Sequence, residues 1–394
     1  MKLPVYFDNH ATTPLDPRVL EAMMPFFTEH YGNAASKGHE FGWMAEAAVD
    51  VARGQVARLI GAAAEEIVFT SGATESVNLA LKGMVEGARR YDGRPAPHMI
   101  TVATEHHAVL DTCKTLERGG VRCTLLPVDG SGRVDPHALG EAITADTIAV
   151  SVMWANNEIG TIAPMAEISA ICRARGVLLH TDATQAVGKI PVNVRDVPVD
   201  LMSFSAHKMY GPKGAGALYL RSDGTRIPFA AQIDGGGHER GLRSGTLNVP
   251  AIVGFGKAAA IASQEFYEER QRVSVLRDLL ESSIREALPG VIFNGSRDAR
   301  LAANASITFP GCRADAMIRE MRDIAVSTGS ACSSAVPEVS HVLAAIGLSD
   351  VLAKSTLRFG LGRFTTEEEV HYVARRVIET AGAPAITAGE FQSQ

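Results

Sequence analysis

Lys208, at the end of a short apolar run, has the type and position to do covalent chemistry. It follows the run Leu201–Ser205 and precedes the glycine-rich segment Tyr210–Gly216. A lysine amine beside an apolar strand can attack a carbonyl carbon and form an imine. The alternative is a solvated lysine beside a turn. The glycine-rich segment lacks the Walker A pattern, and no GxGxxG follows any predicted strand, so nucleotide binding has no signature here.

Polar residues follow four other apolar runs, and each could contact a ligand. Ser71–Glu75 is a small-residue turn that leads into a helix, where free N–H groups and the helix dipole suit a phosphate. His106, the turn Trp154–Glu158 and Asp182 follow the other three runs. Taken singly, each has an ordinary alternative: a strand–turn–helix connection, a structural histidine, a hydrogen-bonded turn, and a carboxylate in a salt bridge or helix cap.

One cysteine stands in a setting different from the others. Cys332 lies in the small-residue segment Ser327–Ser334, which favours an accessible, reactive thiol. The other four cysteines occupy apolar or helical contexts, where a small inert hydrophobic residue is the better interpretation; they are Cys113, Cys123, Cys172 and Cys312. The odd number and the lack of CxxC or zinc-like spacing argue against structural disulfides and zinc, and favour a reducing compartment.

A single cofactor accounts for the combination of strand-end residues. Pyridoxal phosphate needs a lysine for its imine, an acidic partner for the pyridinium nitrogen, a phosphate cradle and a group that stacks on its ring. Lys208, Asp182, the turn Gly72–Thr74 and His106 would supply these groups, respectively, each at a strand end. The joint occurrence of these four features therefore predicts pyridoxal phosphate.

An alternating pattern of strands and helices is predicted to position these residues. Nearly all-apolar strands alternate with helical stretches between about residues 50 and 220, which is typical of a mostly parallel sheet covered on both faces. Ligands of such sheets bind at the carboxyl ends of the strands. The predicted strands are Ile67–Thr70, Ile100–Ala103, Ile148–Met153, Val177–Thr181 and Leu201–Ser205, and the helices include Glu75–Val85, Ala108–Glu117 and Pro164–Arg175.

The pattern changes after a long predicted helix, Gly256–Leu288. Shorter strands and helices then follow, which indicates a second, smaller α/β domain. We assign residues 15–257 to a large cofactor-binding domain, and residues 1–14 with 258–394 to a small domain that carries Cys332.

Composition excludes several classes of protein. The 394 residues are 46% hydrophobic with a formal charge of −6 and no evident basic patch, which argues against nucleic-acid binding. No apolar run approaches the roughly 20 residues that cross a bilayer. The polar residues Asp8–His10 interrupt the N-terminus, which argues against a secretory signal. We therefore expect a cytoplasmic protein without a membrane partner.

The motifs resemble those of cysteine desulfurases of the nitrogen-fixation and iron–sulfur-cluster type, which are fold-type I pyridoxal-phosphate enzymes of the class-V aminotransferase family. The resemblance runs from Phe7 to Phe364 through the motifs TSGATES, TEHHAVLDTC, NNEIG, TDATQAVGK, FSAHKMYGPKG, GGGHERGLRSGT and STGSAC. It implies a large domain with a mostly parallel mixed sheet between helices, plus a smaller α/β domain. It also implies removal of sulfur from L-cysteine, giving L-alanine and a persulfide on Cys332.

The resemblance implies a role for each matching residue. Lys208 would carry the cofactor, Asp182 would pair with the pyridinium nitrogen, and His106 would stack on the ring and carry protons. It further implies contacts to the phosphate from Ala73, Thr74, Ser205, His207 and, from a neighbouring subunit, Thr246. Asn157 and Gln185 would contact the cofactor near its phenolic oxygen, and Asn33 and Arg358 would bind the substrate carboxylate. Cys332 would accept the sulfur.

The partners implied are L-cysteine, a second copy of the chain with shared active sites, and an iron–sulfur scaffold or other sulfur acceptor. With a scaffold, Cys332 would also be a ligand to a shared nascent cluster. The tail Ala381–Gln394 is shorter than the extension with which housekeeping members dock their scaffold, so the acceptor stays open. The alternatives are a selenocysteine lyase, another fold-type I enzyme such as an aminotransferase, and a non-catalytic sulfur-relay adaptor; Cys332 argues against transamination, which needs no thiol.

Overall fold

The computed structural model describes residues 1–222, 224, 227–328 and 339–383. In chain order, the strands are β1 (Val5–Tyr6), β2 (Ile67–Thr70), β3 (His98–Val102), β4 (Arg122–Leu126), β5 (Thr147–Ser151), β6 (Leu178–Asp182), β7 (Leu201–Ser205), β8 (Gly216–Leu220), β9 (Ile292–Phe293), β10 (Asn304–Thr308), β11 (Ile324–Ala325) and β12 (Thr356–Gly360). The helices are α1 (Pro17–Met23), α2 (Pro25–Thr28), α3 (Glu40–Leu59), α4 (Ala73–Tyr91), α5 (His107–Arg118), α6 (Pro136–Ala142), α7 (Met165–Arg175), α8 (Val249–Ala287), α9 (Ala314–Glu320), α10 (His341–Ala345), α11 (Asp350–Ala353) and α12 (Glu367–Ala381).

The main sheet has the mixed, mostly parallel form that the sequence predicts. Its described strands, seven in number, follow the order β2-β8-β7-β6-β5-β3-β4. The pairings from β7 through β6, β5 and β3 to β4 are parallel, whereas β8 is antiparallel to both β7 and β2. All five predicted strands lie in this sheet within a few residues of their expected bounds. Their carboxyl ends therefore meet at one edge, where the strand-end residues gather.

Two strands of the sheet escape the sequence reasoning. β4 is an edge strand with largely uncovered side chains, so its residues do not form the apolar run that identifies a buried strand. β8 follows the glycine-rich segment after Lys208 without a helix between, and it returns antiparallel along β7. The loop Met209–Ala215 is thereby held against the carboxyl end of β7, next to Lys208.

The long helix α8 contributes to two hydrophobic clusters. Near its start, Ile252 and Phe255 are buried with the main sheet, whereas Leu276 and Leu280 are buried with β10 and β12. The helix starts seven residues before the predicted Gly256, because the Asn248 side chain caps it by accepting a hydrogen bond from the N–H of Ala251 at 3.2 Å. The domain boundaries at residues 14/15 and 257/258 stay a prediction.

A second sheet lies in the C-terminal part of the chain, and a third, two-stranded sheet joins the N-terminus to this part. β12, β10 and β9 form an antiparallel sheet, and β1 pairs in parallel with β11. The N-terminal segment continues beside β12, since the N–H of Asn9 donates to the carbonyl of Gly360 at 3.1 Å. No helix among the described residues is long and apolar enough to cross a membrane.

Candidate active site

A cavity of about 660 Å³ opens at the carboxyl edge of the main sheet. Ten of the predicted site residues line it: Ala73, Thr74, His106, Asn157, Asp182, Gln185, Ser205, His207, Lys208 and Arg358. Asn33 and Thr246 are exposed and do not line it. Cys332 lies outside the described residues. The structure therefore brings most of the predicted site together around one cavity.

The Lys208 amine reaches the cavity from a short 3₁₀ turn, Ala206–Lys208, directly after β7. Its Nζ donates to the carbonyl oxygens of His10 and Ala11, each at 2.6 Å. The N-terminal segment thus forms one wall of the site. Reasoning from single residues did not find this wall, because His10 and Lys208 are 198 residues apart in the chain.

Asp182 and His106 enter the cavity at two neighbouring strand ends. Asp182 is the last residue of β6 and is 4% exposed, and its Oδ1 accepts from the N–H of Thr184 at 3.0 Å. His106 caps α5, because its Nδ1 accepts from the N–H of Ala108 at 3.1 Å. Burial lowers the pKa of His106, so the ring is neutral at pH 7. With Nδ1 occupied as an acceptor, the ring proton is on Nε2.

Glu105 is a buried carboxyl beside these two groups that the sequence analysis did not single out. Its side chain is fully buried, and its Oε1 accepts from the N–H of Met153 at 2.5 Å. Burial, together with the charge of Asp182, raises the pKa of Glu105 well above its usual value. Burial and the nearby charge of Asp182 therefore both disfavour the ionised form of Glu105.

A candidate phosphate cradle lies at the start of α4. Gly72 is the N-cap, with φ +156°, and a side chain at Gly216 on β8 would collide with the Gly72 backbone. This close approach leaves the first-turn N–H groups of Ala73 and Thr74 at the cavity without intrahelical partners. Such groups at the positive end of a helix dipole bind anions.

Ser205 and His207 also line the cavity, and Ser205 pairs with Gly216, the residue that abuts Gly72. The Nδ1 of His207 lies 3.0 Å from the hydroxyl of Thr12. Burial, helped by the charge of Lys208, lowers the pKa of His207 to about 4. His207 is thus neutral at pH 7 and suited to hydrogen bonding rather than to charge pairing.

Gln185 belongs to a buried hydrogen-bond group that the sequence motif did not reveal. Its Nε2 donates to the carbonyl of His10 at 2.9 Å, and its Oε1 accepts from Lys189 Nζ at 2.5 Å. Burial, together with the nearby Lys208 charge, lowers the pKa of Lys189 to about 7. These bonds fix the orientation of the Gln185 amide. The signal that could have located Lys189 is its i+4 spacing from Gln185.

Arg358, on β12, brings a buried guanidinium to the opposite side of the cavity. It is 2% exposed; its Nη1 donates to the carbonyl of Asn157 at 3.0 Å and its Nη2 to Asp8 Oδ1 at 2.9 Å. Its Nε has no hydrogen-bond partner among the described residues. A buried guanidinium with a spare N–H is suited to bind a carboxylate.

These residues fit pyridoxal phosphate. The cavity offers a lysine amine, a charged carboxylate, a neutral imidazole and a helix N-terminus, which are the groups that this cofactor requires. Lys208 would hold it covalently, Asp182 would face its ring nitrogen, and the N–H groups of Ala73 and Thr74 would hold its phosphate.

The chain is similar to known proteins over nearly its whole length. Residues 5–373 match the aminotransferase class-V family. The chain is 55% identical over 379 residues to the cysteine desulfurase IscS of Anaeromyxobacter sp. (strain Fw109-5), over 96% of this chain and 93% of that protein. A solved NifS-like protein superposes with a TM-score of 0.88 and 39% identity, over 95% of this chain and 98% of that one. A structure of SspA in complex with cysteine gives 0.80 and 35%, over 92% and 100%.

Proposed function

The chain belongs to the class-V aminotransferase family as a pyridoxal-phosphate-dependent cysteine desulfurase, and we propose from this premise that the cavity at the sheet edge is its active site. The observation that carries this proposal is the convergence of Lys208, Asp182 and the start of α4 on one cavity that also holds the Arg358 guanidinium. The predicted fold, cofactor and class of reaction are confirmed. The roles of individual residues are the part proposed here.

Binding of L-cysteine begins with its carboxylate. The Nε–H of Arg358 would donate a hydrogen bond to a carboxylate oxygen of the substrate, because this N–H has no partner among the described residues. Asn33, which lies outside the cavity lining, is the proposed second contact; its Oδ1 now accepts from the N–H of Ala35 at 2.9 Å. An anchored carboxylate fixes where the amine and the thiol of the substrate lie in the cavity.

Proton transfer at the substrate Cα is the proposed task of Lys208. Its amine lies at the cavity wall, and hydrogen bonds to the carbonyls of His10 and Ala11 give it a second position once the substrate amine has replaced it on the cofactor. The bound cofactor supplies an electron-accepting ring, which stabilises the charge left at Cα when the proton is removed. Asp182 would pair with the ring nitrogen and keep it protonated, because its carboxylate lines the cavity at the end of β6.

The sulfur atom of the substrate would then pass to Cys332. The thiolate of Cys332 attacks the substrate sulfur, the Cβ–S bond breaks, and a sulfur–sulfur bond forms on the enzyme. The electron pair of the broken bond returns to the organic product, which takes up protons and leaves as L-alanine. His106 would deliver a proton from Nε2, since its neutral ring carries the proton there.

The proposed partners in this reaction are a second copy of the chain and a protein that accepts the sulfur. Thr246 is exposed and does not line the cavity of its own chain, which fits a contact to the phosphate site of a second copy in a homodimer. The persulfide of Cys332 would pass to an iron–sulfur scaffold or another acceptor, with Cys332 as a shared cluster ligand in the first case. A thiol nucleophile works best in a reducing compartment, so we place the enzyme in the cytoplasm.

The experiment that tests the function is quantification of L-alanine released from L-cysteine by the cofactor-loaded protein with a reductant present. Release with turnover supports the proposal, and its absence contradicts it. Selenocysteine, offered under the same conditions, tests the selenocysteine lyase alternative, which predicts faster alanine release from the selenium substrate.

A further inference from the structure

A carboxylate stands next to the phosphate cradle, where a second negative charge is unfavourable. Glu75 lies in the first turn of α4 and lines the cavity with Ala73 and Thr74. Its Oε2 accepts from the N–H of Ser71 at 2.8 Å. The positive end of the helix dipole stabilises this carboxylate, and it would also stabilise a bound phosphate. Glu75 and the phosphate are therefore rival anions at one helix terminus.

Arg243 binds the Glu75 carboxylate through two nitrogens of its guanidinium. Its Nε donates to Glu75 Oε1 at 2.7 Å, and its Nη2 donates to Glu75 Oε2 at 3.2 Å. The two side chains are 20% and 18% exposed, respectively. Burial acts to raise the pKa of Glu75, but the hydrogen bonds from Arg243 and Ser71 outweigh it and leave that pKa below its usual value. Glu75 is thus charged and paired at pH 7.

The segment that carries Arg243 is anchored to the strand that leads into the cradle. Glu239 accepts from the N–H of Phe69 on β2 at 2.7 Å, and it forms a buried ion pair with Arg53 at 2.7 Å. Glu239 and Arg240 adopt positive φ values of 48° and 57°, which residues with side chains seldom do. Because the segment keeps this conformation, Arg243 has a fixed position relative to the start of α4.

We propose that Arg243 is a positioning residue for the cofactor phosphate: it neutralises Glu75 and holds its carboxylate aside, so that the first-turn N–H groups of α4 stay open to the phosphate. This inference rests on the proposed function only in taking the start of α4 as the phosphate site. On this proposal, the loss of Arg243 weakens phosphate binding because it leaves the Glu75 charge unpaired. A purely structural role of Arg243 would not depend on that charge. Removal of that charge should therefore repair the loss.

The test is a titration of the cofactor-free protein with pyridoxal phosphate and, separately, with pyridoxal, which lacks the phosphate. Binding is followed by the absorbance of the lysine-bound form. Arg243→Ala should raise the Kd for pyridoxal phosphate by about 10-fold or more, since an unpaired charge then faces the phosphate at short range. The Kd for pyridoxal should stay within about 2-fold, because the electrostatic cost arises only with a charged group.

The decisive variant is the double substitution Glu75→Gln with Arg243→Ala. Glutamine keeps an oxygen for the N–H of Ser71 but carries no charge, so the double variant should bind pyridoxal phosphate within about 3-fold of the wild type. The matched control is Arg300→Ala, which breaks an ion pair to Glu281 with the same two distances, 2.7 and 3.2 Å. Neither Arg300 nor Glu281 lines the cavity. It should leave the Kd unchanged.

Three outcomes would overturn the inference: an unchanged Kd for pyridoxal phosphate in Arg243→Ala, an equal loss for pyridoxal, or a double variant as weak as the single one. The last would mean that Arg243 acts on its own rather than through Glu75. Alanine release by the wild-type enzyme is measured in parallel. If it is absent, the proposed function fails, whereas these binding results decide the role of Arg243 independently.

Discussion

The Asp8 carboxylate and the Arg358 guanidinium form a buried ion pair at the edge of the cavity, with Asp8 Oδ1 2.9 Å from Arg358 Nη2. The same Oδ1 accepts from the hydroxyl of Ser327 at 3.0 Å. With Nη1 on the carbonyl of Asn157, both terminal nitrogens of Arg358 are engaged. The guanidinium is therefore fixed in orientation before substrate binds, and Nε is its one nitrogen without a partner among the described residues.

We predict that Asp8→Ala raises the KM for L-cysteine about 10-fold and changes kcat by no more than about 3-fold, because a loosened guanidinium binds the carboxylate less well. The KM of Asp8→Asn should lie between those of the wild type and Asp8→Ala, since asparagine keeps an acceptor oxygen for Arg358. In an Arg358→Ala background, Asp8→Ala should add little, because its effect passes through that arginine. The control is Asp323→Ala, which breaks the 3.0 Å pair with Arg376 away from the cavity. A lower KM in Asp8→Ala would show that Asp8 competes with the substrate.

Lys208 provides the test of cofactor attachment. Lys208→Ala and Lys208→Arg should both lose the absorbance of the bound cofactor on dialysis and release alanine at least about 100-fold more slowly, because neither side chain supplies an imine-forming amine and proton carrier. Arginine keeps the charge and hydrogen-bond donors for the carbonyls of His10 and Ala11, so it separates chemistry from folding. Lys213→Ala, at an exposed lysine that also lines the cavity, should keep the absorbance. Retained absorbance in both Lys208 variants would refute the assignment.

Asp182 and Glu105 are two buried carboxyl groups, and only Asp182 has a proposed role in the reaction, which gives a paired experiment. Asp182→Asn should reduce the rate of alanine release by about 100-fold or more, because the charge that stabilises a protonated ring nitrogen is lost. Glu105→Gln should stay within about 5-fold of the wild type, since burial disfavours the charged form of that carboxyl and the proposed reaction does not use it. Steady-state rates of both variants, at matched cofactor content, decide the matter. Equal losses would contradict the assignment of the charge to Asp182.

Buried His180 makes the stability of the protein depend on pH. It lies between the hydroxyls of Ser151, 2.8 Å from Nδ1, and Ser203, 2.9 Å from Nε2. Burial lowers its pKa to about 3 from 6.5, so between these values the unfolded chain binds the proton and the folded chain does not. This stabilisation is present above pH 6.5 and is lost as the pH falls toward 3, by up to about 1.4 kcal/mol per pH unit.

The measurement is the free energy of unfolding in urea between pH 6.5 and 4.5. His180→Gln should flatten the slope against pH by up to about 1.4 kcal/mol per unit, because the glutamine takes up no proton. His137→Gln, at an exposed histidine on α6, serves as the control and should leave the slope unchanged. An unchanged slope in His180→Gln would contradict the buried neutral imidazole.

The part of the site that could be predicted follows from one regularity of the fold. Parallel strands end at the same edge, so polar residues that follow separate apolar runs come together although they are far apart in sequence. Lys208, Asp182 and His106 were found in this way. Arg358 lies on β12, in the second sheet, and its role followed only from the resemblance.

The residues that sequence reasoning missed depend on long-range contacts. His10 faces Lys208, and Asp8 faces Arg358, because the N-terminal segment runs beside β12, some 350 residues away in the chain. Arg243 and Glu75 pair across 168 residues. No local pattern encodes such pairs, because each is fixed by tertiary packing rather than by spacing on one helix or strand. Cys332 was identified from its neighbours alone, and it lies outside the described residues.

In the proposed reaction, L-cysteine gives up its sulfur to Cys332 while Lys208 and the cofactor act on the rest of the molecule. The most direct test is a single turnover without reductant, followed by alkylation and mass spectrometry of the cysteine peptides. We expect one alanine to be released for each additional sulfur atom on Cys332, and no added sulfur on the peptides of the other cysteines. Alanine released at the wild-type rate by Cys332→Ser, or extra sulfur on another cysteine, would contradict it.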